Sequence, residues 1–193
     1  MGCCLALLGG GSLAGAEAET TQPRAQLAGE YKGKAVVVTK GTTVSGTGAA
    51  LADTALHQDQ AFFEVVLVTV PEGGAKFCVG LARKRLGKLL EEQLGNGTTT
   101  WGLQASTCTV EFKKGDVIGA AYDQSSGRPR MDFYHNGERL EGCAVTGIKG
   151  LVYPAVSVEE GTALKVNFAV NDSGFKHDVP PGFSGIMKAR GLV

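Results

Sequence analysis

GDVIGAAYDQSSGRPRMDFYHNGERL, Gly115 to Leu140, decides how this chain folds. It opens after a Lys113-Lys114-Gly115 turn, and Asp116–Asp123 is rich in β-formers, so a strand is expected there. Asp123-Gln124-Ser125-Ser126-Gly127-Arg128-Pro129 supplies turn chemistry. Asp and Ser bond to nearby backbone, Gly takes positive φ, and Pro lacks a ladder donor. Arg130–His135 predicts a second strand, with Met131, Phe133 and His135 on one face and Asp132 and Tyr134 on the other. Asn136-Gly137 follows, ahead of Glu138-Arg139-Leu140. Asn-Gly between extended runs is a strong hairpin signal, because a type I′ turn needs positive φ at both central residues. The stretch therefore predicts a three-stranded antiparallel meander.

Working outward, more short strands are expected. Ala35–Thr39 and Thr43–Gly46 flank a Lys40-Gly41-Thr42 turn, and Leu51–Asp59 reads as loop. Ala61–Val70 is a long strand apolar on both faces, as where two sheets pack, with Glu64 as a satisfied or edge-exposed carboxylate. Lys76–Ala82, Thr98–Ser106 with the one tryptophan Trp101, Leu151–Val158 and the alternating Leu164, Val166 and Phe168 are further strands. Cys108–Phe112 alternates with Cys108, Val110 and Phe112 inward. Only Arg83–Leu94 has helical spacing, in Leu86, Leu89, Leu90 and Leu94. Its charge order opposes the helix dipole and Gly87 weakens it, so it reads as a helical turn in a long loop, either a lid on the sandwich or a partner-contact loop. The tail Val179-Pro180-Pro181-Gly182-Phe183 cannot be a central strand and is expected to cross the sandwich, dropping Phe183 and Ile186 onto it. The fold class expected is all-β, a two-layer antiparallel β-sandwich with long loops and at most one short helix.

The central stretch also carries a resemblance. GDVIG, the Tyr122-Asp123 pair and DFYHNGERL resemble the signature of the SPRY domain family. Leu56-His57 with Phe62-Phe63-Glu64-Val65 resembles that family's early strand, and Tyr153-Pro154-Ala155-Val156-Ser157-Val158 its late one. The resemblance spans Lys34–Phe183, and Gly46-Thr47-Gly48, the double-cysteine amino terminus and Pro180–Phe183 bring it nearest to small one-domain members. It implies a concanavalin-like sandwich that binds protein segments through one loop-built surface. By position, that surface would take Thr43, Ser45 and Thr47, His57 and Asp59, Gln124, Ser125 and Arg128, and Glu159 with Glu160. Peptide-binding members often present an aromatic just before the glycine matching Gly161, where this chain has Glu160. An acidic pair there suits a basic or amide-rich partner; the same pair also reads as a solvated turn.

Composition limits the functions available. The 193 residues suit one domain, and a 43% hydrophobic content supports a real core. Lys plus Arg equals Asp plus Glu at 19 each, so no net field favours nucleic acid. Cys3, Cys4, Cys78, Cys108 and Cys143 show no Cys-x-x-Cys spacing, which argues against a disulfide framework or zinc site and makes the last three small hydrophobes. His57, His135 and His177 lack metal-ligand spacing, Gly46-Thr47-Gly48-Ala49-Ala50-Leu51 lacks the last glycine of a dinucleotide fingerprint, and no G-x-S-x-G surrounds Ser45. No catalytic residue, cofactor or metal is expected, and the chain is read as a monomer with a protein or peptide partner.

Residues 1–30 read as a flexible tail and residues 31–193 as the domain with its C-terminal tail. Met1-Gly2-Cys3-Cys4 offers Gly2 for myristoylation and Cys3 and Cys4 for palmitoylation, two acyl chains making membrane residence stable. Ala6 departs from the simple myristoylation pattern, which wants Ser or Thr. The expectation is a cytoplasmic, lipid-anchored adaptor. The alternative is a secreted or lumenal sandwich, cleaved at Ala16-Glu17-Ala18 and glycosylated at Asn96 or Asn171; no positive charge precedes its short apolar segment. An enzyme with an unfamiliar site is a third reading.

Overall fold

The computed structural model describes residues 24–83, 87–159 and 161–188. In chain order they form β1 (Leu27–Lys32), β2 (Val36–Thr39), β3 (Thr43–Gly46), β4 (Gly48–Ala52), β5 (Gln60–Thr69), β6 (Phe77–Ala82) and β7 (Thr100–Gln104). Then come β8 (Val117–Asp123), β9 (Arg130–His135), β10 (Glu138–Arg139), β11 (Val145–Thr146), β12 (Tyr153–Val158), β13 (Ala163–Asn167) and β14 (Ser184–Gly185). They make two sheets: five strands in the order β1-β4-β12-β6-β7, and nine in the order β10-β9-β8-β5-β13-β3-β2 with β11 beside β9 and β14 beside β5. The pairings are antiparallel except β14 on β5, and no α-helix occurs among the described residues. The all-β antiparallel sandwich is therefore the fold.

The central meander forms as β8, β9 and β10, with Asn136 at φ 51° and Gly137 at φ 88°, the conformation a type I′ turn demands. Period-2 alternation sends Phe63, Val65 and Leu67 of β5, Ile118, Ala120 and Tyr122 of β8, and Met131 and Phe133 of β9 into the space between the sheets. There they meet Val79, Leu81, Trp101, Leu103, Val156 and Val158 of the other sheet. Trp101 is core, as expected.

The five-stranded sheet does not alternate, because it is buried on both faces: β4, β6 and β12 are buried at every position. Its outer face carries Ala49, Leu51, Cys78, Ala82, Tyr153 and Ala155, covered by Leu90 and Leu94. The lid is thus a 3-10 turn at Lys88–Glu91 and the segment after it. The Leu94 N–H donates to Ser157 Oγ (3.1 Å), and the Lys34 N–H donates to the Glu91 carboxylate (3.1 and 3.2 Å).

Three expectations need correction. Leu51 and Ala52 are not loop but the end of β4, a strand of small residues whose lack of alternation hid it. The domain starts before Tyr31: β1 opens at Leu27, and Ala25, Leu27 and Ala28 are buried. Cys108–Phe112 keeps its inward alternation but has no ladder partner, because the segment crosses from the edge strand of one sheet to the other.

The C-terminal segment is more structural than its prolines suggest. The buried carboxyl of Glu64 accepts the N–H groups of Lys176 (2.8 Å) and His177 (3.0 Å), and Phe175 lies edge-on to Phe62 with ring centroids 5.0 Å apart. β14 then pairs with Ala61 and Phe62, below the point where β13 leaves β5, and Ile186 enters the core while Phe183 is half-buried.

Candidate interaction surface

The signature residues of the meander turn out to be a clamp. Asp116 Oδ2 lies 2.8 Å from His135 Nε2 and accepts the Lys113 N–H at 2.8 Å; its Oδ1 accepts Asn136 Nδ2 at 3.0 Å. Asn136 Oδ1 accepts the Val117 N–H, and the Asn136 N–H donates to the Val117 carbonyl, both at 2.8 Å. Partial burial pushes the Asp116 carboxyl up, but hydrogen bonds from Asn136, Lys113 and His135 outweigh it and hold the group below the ordinary value of 3.8. Asp132 is held low against its burial by Arg130 (2.6 Å) and Arg139 (2.8 Å). These carboxylates fix a hairpin rather than a reaction centre, and among the described residues no group of three or more His, Cys, Asp or Glu is placed to hold a metal.

The described residues expected to form one binding surface fall into two groups toward opposite ends of β5, a ten-residue strand about 30 Å long. His57, Asp59, Gln124, Ser125 and Arg128 lie at its Gln60 end. Gln124 donates its N–H to the Asp59 carbonyl (2.8 Å) and its Nε2 to the Gln58 carbonyl (2.9 Å), and receives the Tyr122 hydroxyl (3.1 Å). Ser125 donates both its N–H (2.8 Å) and its hydroxyl (2.6 Å) to Asp123 Oδ1. The Ser125 hydroxyl is the main reason the Asp123 carboxyl sits low. This end is committed to its own turn. His57 is exposed, beside a hollow of about 470 Å³ walled by Asp53, Met187 and Lys188, where Lys188 Nζ reaches Asp53 Oδ2 at 2.7 Å. Arg128 is exposed too.

The other end is less engaged. Thr43 pairs with Lys165 on β13, Ser45 with Val37 on β2, and Gly48 beside Thr47 pairs with Val158, next to Glu159. The Glu159 N–H donates to the Lys76 carbonyl and its own carbonyl accepts from Thr162, both at 3.0 Å, so the backbone turn is fixed. The Glu159 carboxylate and the Ser45 and Thr47 hydroxyls make no hydrogen bond among the described residues; Glu160 lies outside them. At the same end a groove of about 560 Å³ runs between Val70, Pro71 and Glu72 on one wall and Glu111, Phe112 and Lys113 on the other. Sequence reasoning left this groove out of the surface. Its one signal was charge set beside turn residues, Glu72 after Pro71 and Lys113-Lys114 before Gly115. Gly2, Cys3 and Cys4 lie outside the described residues.

Comparison with known proteins agrees with the fold. The family model described as the SPRY domain matches residues 60–171. SPRY domain-containing protein 7 of Bos taurus is 32% identical over 182 residues, covering 86% of this chain and 84% of that protein. The Homo sapiens protein of the same name is 31% identical over the same shares. Among solved structures, the SPRY domain of human HERC1 superposes with a TM-score of 0.52 at 20% identity, over 75% of this chain and 94% of that one. The TRIM65 PSpry domain gives 0.52 at 14% identity, over 75% and 90%.

Proposed function

Because the chain belongs to the SPRY domain family, whose members are typically protein-interaction modules, we propose that it is a non-enzymatic adaptor binding a protein segment at the Glu159 end of the sandwich. The observation that supports this end over the other is the contrast in bonding. Gln124 and Ser125 are held in internal hydrogen bonds, whereas Ser45, Thr47 and Glu159 present polar atoms unengaged among the described residues, toward the end of β5 where an open groove also lies. Loops held by a rigid sandwich are where binding residues concentrate. Glu159 at the rim favours a segment carrying Lys, Arg or side-chain amides.

Peptides selected from a display library on the wild-type chain test the proposal. Binders rich in Lys, Arg or Gln should lose roughly ten-fold or more in affinity to Glu159→Lys. They should be indifferent to His57→Ala at the opposite end. Binders insensitive to Glu159→Lys but lost with His57→Ala would move the site to the Gln60 end of β5.

We further propose that lipid on Gly2 and on Cys3 or Cys4 tethers the adaptor to the cytosolic face of a membrane. The support is the amino-terminal sequence itself, which offers a myristoyl acceptor beside two thiols. The intact mass of the protein from its own cells should lack Met1 and carry a myristoyl group with a thioester-labile palmitoyl. A chain beginning after Ala18 would place it in the secretory pathway instead.

A further inference from the structure

The fold brings together two cysteines that the sequence keeps 35 residues apart. Cys108 Sγ and Cys143 Sγ stand 3.4 Å from each other, each half-buried and each a free thiol. Cys108 follows the 3-10 turn Ala105–Thr107, where the chain leaves β7, the edge strand of the five-stranded sheet. Cys143 lies between β10 and β11, which both lie along β9 at the edge of the nine-stranded sheet. Both are held by backbone: the Cys108 N–H donates to the Ala105 carbonyl and the Cys143 N–H to the Leu140 carbonyl, each at 3.4 Å. Cys78 is different, fully buried in the outer face of the five-stranded sheet, in a cluster that holds no other sulfur among the described residues. Two thiols in van der Waals contact on two loops need only a small approach to bond.

We propose that Cys108 and Cys143 form a thiol-modification site, a dithiol that closes to an intramolecular disulfide on reaction with a low-molecular-weight disulfide such as oxidised glutathione. Burial, reinforced by Cys143 beside it, pushes the Cys108 thiol up to about 12 and keeps it protonated, so the first attack on the glutathione disulfide falls to Cys143. The Cys143 sulfur bonds to one glutathione sulfur and the other leaves as reduced glutathione. The Cys108 sulfur then attacks Cys143, a second reduced glutathione departs with the Cys108 proton, and the new S–S bond remains. Two electrons pass from the two cysteines to one glutathione disulfide, and two thiols of glutathione result. The bond staples the edge of one sheet to the edge of the other. It also restrains the Ala105–Lys114 segment, one wall of the groove at the Thr69 end of β5.

The test uses the full-length chain equilibrated in glutathione buffers of increasing oxidised fraction, then alkylated. The tryptic peptides Leu89–Lys113 and Leu140–Lys149 should be recovered as one cross-linked species, about 2 mass units below the sum of the reduced pair. Closure of a loop of this length should raise Tm by roughly 5–10 °C, reversed by dithiothreitol. Cys108→Ser and Cys143→Ser should each abolish both effects, and Cys78→Ser should leave the cross-link in place. Recovery of Cys143 as a persistent glutathione adduct, or of both peptides alkylated at every poise, would overturn the proposal. So would a cross-link that survives Cys108→Ser.

Discussion

Glu64→Ala is expected to destabilise the protein by about 3–5 kcal/mol and to release the segment from Phe175 onward. Glu64 is 0% exposed, yet it sits on the outer face of β5, the face that Phe62 also uses. What buries that face is not a third layer but the chain after β13. Both carboxyl oxygens take backbone N–H groups, of Lys176 and His177, and those donors have no other partner among the described residues. Removing the acceptor leaves two partly buried N–H groups without their partner, each costing about 1–3 kcal/mol. A loss of that size lowers Tm by roughly 10 °C in a domain of this length. It should also be local before it is global: trypsin should cut after Lys176 far faster than in the wild type while β5 stays protected. Glu64→Gln keeps one acceptor and should fall between the two. If Glu64→Ala keeps both the wild-type Tm and a trypsin-resistant Lys176, the tail is held by Phe175 and β14 alone.

How much of this could be read beforehand depends on whether the signal was local. The meander was legible because Asn136-Gly137 and the alternation of Met131, Phe133 and Asp132 are near-neighbour facts. The lid was legible as helical spacing in a chain of strands. β4 was not, since Gly48-Ala49-Ala50-Leu51-Ala52 has neither polar alternation nor β-branched residues, and only burial on both faces makes it a strand. Glu64 could be read as satisfied but not by whom, because its partners lie more than a hundred residues away. The interaction surface suffered in the same way. His57 and Glu159 both sit on loops, but whether two loops share an end of a sandwich depends on strand direction, and strand direction on pairing the sequence does not display. The pairing of Gln60 with Asp123 and of Ala163 with Thr69 sends them to opposite ends. Cys108 and Cys143 met for the same reason: each read singly as a small hydrophobe, and only the closing of the two sheet edges makes them a pair.

Gly48→Val should cost about 3–5 kcal/mol and lift the lid. Gly48 has φ +119°, outside the range a β-branched residue adopts, and forcing one there costs about 1–3 kcal/mol in strain. A Cβ at this position would stand 2.6 Å from the Leu90 carbonyl oxygen and 3.1 Å from Val36 Cγ2. Val36 is core, so the lid is what must give. Moving it uncovers Leu90 and Leu94 and breaks the bond from the Leu94 N–H to Ser157, so hydrogen exchange at Leu94 should quicken along with the drop in Tm. Gly73→Ala, at an exposed turn glycine with open space around it, should stay within about 0.5 kcal/mol of the wild type. A Gly48→Val protein as stable as Gly73→Ala, with Leu94 still protected, would mean the lid is not seated on β4. The comparison also explains a sequence feature that invited a wrong chemistry. Gly46-Thr47-Gly48 resembles part of a dinucleotide fingerprint because both need backbone to come closer than a side chain permits. In a nucleotide fold the thing approaching is a pyrophosphate; at Gly48 it is the carbonyl of Leu90, and at Gly46 that of Ala35, so the glycines serve packing between segments of the same chain.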